Sequence, residues 1–174
     1  MNNPAEANMD LYSIDKLMHE TRQLAAKYRK ATGSTLPVTG EISRFDVAKA
    51  LNLQLIDDLT LGYDAIGRDV RKDLRILIKG RVIFEDSRSS PRIGQIKSDG
   101  RWDRVIMVLF DDDYLPVEMH EASSEDIEAA LNTKSESANK KRGAMSVSQF
   151  KIIGRLVWSR EDGLSPEIWD NHNG

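Results

Sequence analysis

Between Met9 and Thr32 the apolar residues Leu11, Ile14, Leu17, Met18, Leu24, Ala25 and Tyr28 fall mostly three or four apart. That is the period of an amphipathic α-helix, and Gly33 and Pro37 end it. A second helix is predicted from Thr39, a residue suited to N-capping, with Ile42, Phe45, Ala48 and Leu51 facing a core. The period then shortens to that of strands. Residues 53–56, 62–66, 74–84, 105–110 and 115–121 read as strands, with Gly67, 86–91 and 111–113 as turns or loops. Ser123 and Asp126 cap a short helix through Leu131. Residues 133–143 are polar and lack large apolar side chains, so they form a linker or exposed loop. Ser146 and Gln149 make a capping box for a last helix whose core face is Phe150, Ile153 and Val157. Helices, then strands, then helices imply an α/β or α+β single domain, a central mixed sheet flanked by helices. We divide the chain into an N-terminal helix packed on the core (1–35), a main domain (36–160) and a C-terminal tail (161–174).

Composition narrows the classes. The length of 174 residues suits one domain, and 40% hydrophobic with 30% charged residues describes a globular chain that can bury a core. With no cysteine, disulfide scaffolds, Cys-ligated metal sites and thiol nucleophiles are excluded, and a reducing compartment is compatible. No apolar run reaches the ~18–20 residues of a membrane span, and the start MNNPAEANMD lacks signal-peptide order, so a cytoplasmic, non-membrane protein is expected. The net charge of −3 conceals segregation: 68–104 carry 11 basic and 6 acidic residues, 105–133 carry 8 acidic and no basic ones, and 134–160 carry 7 basic and 1 acidic. Two basic blocks suit a polyanion partner if the fold gathers them on one face; as solvated surface they carry no such meaning.

The chain has no phosphate loop, dinucleotide fingerprint or nucleophile elbow. His19, His120 and His172 are too scattered for a metal spacing; Glu118 and His120 share one strand face, which a solvated polar face explains. The informative stretch runs from Gly40 to Arg81. Glu41 lies in the first turn of the second helix, Asp64 on a short strand and Lys79 on a longer one. On that longer strand Asp73, Arg75, Leu77, Lys79 and Arg81 share one face, while Ile76, Ile78 and Val82 share the other, the core face. Cations beside an adjacent acid suit metal-assisted phosphodiester cleavage. The carboxylate binds Mg2+, and a lysine positions water or meets charge on the phosphate. Taken singly, each residue has a structural role as well, such as Glu41 favouring the helix macrodipole by about 0.3–1 kcal/mol. Trp102, Trp158 and Trp169 offer rings for base stacking, though Trp158, beside an apolar run, reads as core.

The order of a helix Glu, a strand Asp after Gly-Tyr, and a hydrophobic strand ending Ile-Lys-Gly-Arg resembles the PD-(D/E)XK nuclease-like superfamily, with the restriction-endonuclease-like core. It is most similar to small bacterial proteins of that type that share segments like Phe110 to Tyr114 and Ser146 to Trp158. The resemblance covers about residues 36–158. It implies a Mg2+- or Mn2+-dependent nuclease acting on DNA in restriction, repair or defence. Asp64 and the Ile78 backbone carbonyl would be metal ligands, Glu41 a direct or outer ligand, and Lys79 the catalytic lysine. Arg75, Arg81, Lys140, Lys141 and Arg142 would meet nucleic acid. The family places Glu, Asp or Gln two residues before the lysine, where this chain has Leu77; Gln95 and Lys97 form a second-ranked Gln-x-Lys. The rival readings are a nucleic-acid-binding module without catalysis and a defence-system partner protein that uses the acidic 105–133 region, with a homodimer also allowed.

Overall fold

The computed structural model describes residues 4–97, 99–133 and 144–166. Its elements are α1 (Pro4–Thr32), α2 (Thr39–Leu51), β1 (Gln54–Leu55), β2 (Ala65–Ile66), β3 (Arg75–Val82), β4 (Arg92–Ile93) and β5 (Arg104–Phe110), then β6 (Pro116–Ser123), α3 (Ser124–Thr133), β7 (Met145–Ser146), α4 (Val147–Ile153), β8 (Arg155–Ser159) and β9 (Gly163–Leu164). A seven-stranded sheet has the order β1-β2-β3-β5-β6-β8-β9. Only β3 and β5 are parallel in it; the other neighbours are antiparallel. Strands β4 and β7 pair separately. The chain is therefore a mixed α/β single domain, with helices packed on a central sheet.

Both faces of the sheet are covered, which explains why β5 is an unbroken apolar run instead of an alternating one. Ile106, Val108 and Phe110 join α1, α2 and the Ile76, Ile78 and Val82 face of β3. Val105, Met107 and Leu109 join α3, α4 and the segment holding Ile93, Ile96 and Trp102. A parallel connection usually carries an α-helix. Here residues 83–103 link β3 to β5 with no α-helix among the described residues, and Ile93, Ile96 and Trp102 fill the layer. No described helix is long and apolar enough to cross a membrane.

Two close contacts seat α2. A Cβ on Gly80 of β3 would overlap the Ser43 Oγ, so glycine there lets α2 lie directly on the strand. Arg22 of α1 donates to both Asp46 oxygens, at 2.9 and 2.8 Å, and to the Tyr114 carbonyl at 2.8 Å, with all charged groups buried. These contacts turn the helix from its expected face: Ser43, Asp46 and Val47 are buried with Ile42 and Leu51, and Phe45 and Ala48 lie half-buried. Thr39 is not the cap. Val38 takes that position without a side-chain bond, and the Thr39 carbonyl accepts from Ser43 Oγ.

Helix α1 docks through Ala25, Ala26 and Arg22, leaving Ile14, Leu17, Leu24 and Tyr28 exposed. Its C-terminal half is held by Arg29, 4.6 Å over the Phe84 ring, and by Lys30 on Asp113. The expected helix through Val157 is two elements. It stops at Gly154, whose Cβ position lies 3.0 Å from the Glu121 and Phe150 carbonyls, and Leu156, Val157 and Trp158 continue as β8, whose β-branched and aromatic residues suit a strand. Strand β9 carries the sheet past residue 160, the boundary expected for the main domain. Asp73 precedes β3 in a left-handed turn, so it does not share the strand face with Leu77 and Lys79.

Removing one partner of a buried, bidentate pair leaves the other charge uncompensated. Asp46→Ala should lower unfolding free energy by about 3–5 kcal/mol in urea titrations. A loss below about 1 kcal/mol would show that Arg22 relaxes to solvent at little cost.

Candidate active site

The site forms where β2 leaves β3. Ala65 and Ile66 pair with Ile76 and Arg75, and the Asp64 amide still donates to the Ile76 carbonyl at 2.8 Å. Beyond Asp64 the chain turns away through Gly62, at φ 87°, and a 3-10 turn at Leu59–Leu61. The Ile78 amide thereby loses its strand partner, and Asp64 Oδ2 accepts from it at 2.8 Å. The amide and carbonyl of one strand residue point to the same side, so the Ile78 carbonyl also faces this fork. The Asp64 carbonyl accepts from the Ile56 amide at 3.0 Å, which fixes its backbone from the other side.

Helix α2 brings a cation and a second acid. Arg44 Nε lies 3.5 Å from Asp64 Oδ1, Nη1 lies 3.5 Å from Glu41 Oε2, and Nη2 donates to the Ile56 carbonyl at 2.8 Å. Nε is buried and not aligned to donate to Asp64, so this contact is an ion pair without a hydrogen bond. Arg44 sits one helical turn from Glu41, a spacing that puts both on one flank and is the signal by which it could have been found in the sequence.

Lys79 comes from the opposite face of β3 to Ile78 and is half-buried. Burial draws its ammonium below the ordinary lysine value; Asp64 opposes that shift and Lys97 reinforces it. Burial likewise pushes the Asp64 carboxyl above the ordinary aspartate value. The Ile78 amide, Arg44 and Lys79 pull the other way, and Glu41 adds to the rise. Asp64 thus feels both Glu41 and Lys79, the residues expected beside it. Among the described residues no three acidic or histidine side chains gather as a metal-holding group. The oxygens at the fork are those of Asp64 and, on the same side of β3, the Ile78 carbonyl, with the exposed Glu41 near enough to act on the Asp64 charge; oxygen donors are the kind that Mg2+ or Mn2+ takes.

The remaining expected residues fall elsewhere. Arg75 is held by Asp103, which takes its Nε at 3.0 Å, its Nη2 at 2.8 Å and its amide at 2.8 Å. Arg81 is exposed, with no ion pair among the described residues. Lys140, Lys141, Arg142 and Trp169 lie outside the described residues. Leu77 shares the Lys79 face and packs against the second core. Trp102 is buried and donates through Nε1 to the Lys97 carbonyl at 2.8 Å, while Trp158 packs half-buried on the first core. Glu118 and His120 do not form a solvated face. His120 is buried with Nε2 2.9 Å from Glu118 Oε2, and Lys151 reaches the same oxygen at 2.6 Å. The acidic triplet 111–113 is a turn, where Asp111 accepts from the Asp113 and Leu115 amides and pairs with Arg160. Compared with known proteins, the chain matches no family model and no curated protein.

An acid whose folded pKa is raised destabilises the fold when ionised. The penalty is absent below the unfolded aspartate value and complete above the raised folded one. Asp64→Asn, whose amide oxygen can still accept from Ile78, should therefore melt higher than wild type at neutral pH, with the gain fading as pH falls through the aspartate range. For a chain of this size 1 kcal/mol corresponds to roughly 2–4 °C. A lower melting temperature at neutral pH would show that the ionised carboxylate holds the fork together.

Proposed function

We propose that the chain is a divalent-metal-dependent nuclease acting on DNA phosphodiester bonds at the β2–β3 fork. The observation that carries this reading is the Asp64 carboxylate on the Ile78 amide, with Glu41 and Lys79 each near enough to act on its charge. Asp64 and the Ile78 carbonyl would hold Mg2+ or Mn2+, with Glu41 on the solvent side. When bound, such an ion supplies a Lewis acid and lowers the pKa of a coordinated water. Lys79, half-desolvated beside Asp64, orients the attacking water or meets the charge that develops on the phosphate. Arg44, whose buried Nε lies 3.5 Å from Asp64 Oδ1, offsets part of the carboxylate charge beside the fork. The resemblance to PD-(D/E)XK nucleases supports the same assignment. A role in restriction, repair or defence rests on that resemblance alone.

Two observations favour a second reading, a module that holds nucleic acid without cutting it. Leu77 contributes no oxygen where relatives of that type place an acid or amide, and Arg44 already offsets the Asp64 charge. Cleavage separates the two. With Mn2+ or Mg2+, wild type should nick supercoiled plasmid, and Asp64→Asn and Lys79→Ala should each lose about 10²-fold or more in rate. DNA binding without cleavage by wild type would establish the binding module. Equal cleavage by Asp64→Asn would place the chemistry elsewhere.

A further inference from the structure

A cleft of about 230 Å³ opens beside the fork, on the Lys79 face of β3. Leu77 and Lys79 form one wall, Gln95 and Lys97 the facing wall, and Thr60 with the ion pair of Arg101 and Asp99 the rim. The facing wall is a built feature. Ile93 and Ile96 are buried in the second core, and the Trp102 indole clamps the Lys97 carbonyl at 2.8 Å. With Ile96 inward, its neighbours Gln95 and Lys97 are left exposed, toward the cleft. Lys79 and Lys97 therefore meet across a concavity, close enough for Lys97 to act electrostatically on Lys79. Neither has a carboxylate within ion-pair distance among the described residues, whereas Arg75, Arg71 and Arg101 are each paired with an acid. Two unpaired ammonium groups on opposite walls repel each other until an anion lies between them.

We propose that this cleft is a phosphate subsite, in which Lys79 and Lys97 grip a phosphodiester of the bound strand next to the group at the Asp64 fork. The inference rests on the nuclease reading and deepens it by naming how the strand is held. Gln95 donates its amide to the same phosphate or its sugar, and Leu77 makes the Lys79 wall apolar. The residue that breaks the family motif thus becomes a wall of the strand's path.

The test is fluorescence anisotropy of a labelled single-stranded DNA oligonucleotide across a salt series, without divalent metal, for wild type, Lys97→Ala and Gln95→Glu. Both positions are exposed, so melting temperatures should match wild type. Lys97→Ala should weaken binding several-fold and reduce the log–log salt slope by about 0.7, the loss of one phosphate contact on a single strand. Gln95→Glu, which adds a charge to the cleft without removing a lysine, should weaken binding at low salt as well. Unchanged affinity and slope in both variants, with wild type binding, would overturn the subsite and leave the fork assignment standing. If wild type fails to bind at low salt, the subsite and the DNA reading fall together. Inorganic phosphate titrated alone serves as the third arm. Binding as tight as the oligonucleotide's would identify a free-anion site and overturn the strand assignment.

Discussion

One hydrogen bond organises the region on which the functional argument depends, that from the Ile78 amide to Asp64 Oδ2 at 2.8 Å. Strand β2 is two residues long, and where it ends β3 would present unpaired backbone groups at the edge of a half-buried sheet. Such groups are costly to leave unmet. A side-chain carboxylate standing in for the absent strand meets the amide, and the carbonyl of the same residue faces the same side. The sheet is thus completed on one side of Ile78 by a charged group, and that group has been drawn out of water to do it. Its raised pKa expresses the cost. The close seating of α2 on Gly80 then brings Arg44 to the same carboxylate. Backbone satisfaction, helix packing and site electrostatics meet at one residue.

The distribution of charge is less simple than its segregation along the chain. Four cations of the 68–104 block are paired internally: Arg71 and Arg104 on Glu121, Arg75 on Asp103 and Arg101 on Asp99. The acidic 105–133 block is in turn partly consumed by Arg71, Lys30, Arg160 and Lys151. Runs of like charge in sequence become pairs of opposite charge in space, because helices α1 and α4 and the turns between strands bring cations against the acids of the sheet. Among the described residues of that block, Lys79 and Lys97 on the cleft and Arg81 on the Lys79 strand have no ion pair, nor have Arg68, Lys72, Arg88 and Arg92.

The sheet was legible where pattern and burial agree. The runs containing Ile76 and Val108 became β3 and β5, because an apolar stretch bounded by polar residues has few other stable fates. The face of α2 was not legible. A buried Asp46 satisfied by Arg22, 24 residues away, and a buried Ser43 admitted by a distant glycine leave no periodic trace. The division of 147–159 into α4 and β8 was marked by Gly154, but the spacing of Phe150, Ile153 and Val157 imitates one continuous helix. Of the candidate site, Glu41, Asp64 and Lys79 could be proposed from residue type and order. Arg44 shows only its spacing from Glu41 and Lys97 only a second-ranked Gln-x-Lys, since the relevance of both comes from the packing of α2 and of the 93–102 segment against β3.

The central claim is that a divalent ion is held at Asp64 and the Ile78 carbonyl. The most direct measurement is paramagnetic broadening of backbone amide resonances during a Mn2+ titration of the folded protein. The account predicts that broadening appears first at Asp64, Ile78 and Lys79, extends to Glu41 and Arg44, and is lost from these residues in Asp64→Asn. Broadening centred instead on the Asp111 turn or on Glu118, with the β2–β3 fork unaffected, would contradict it.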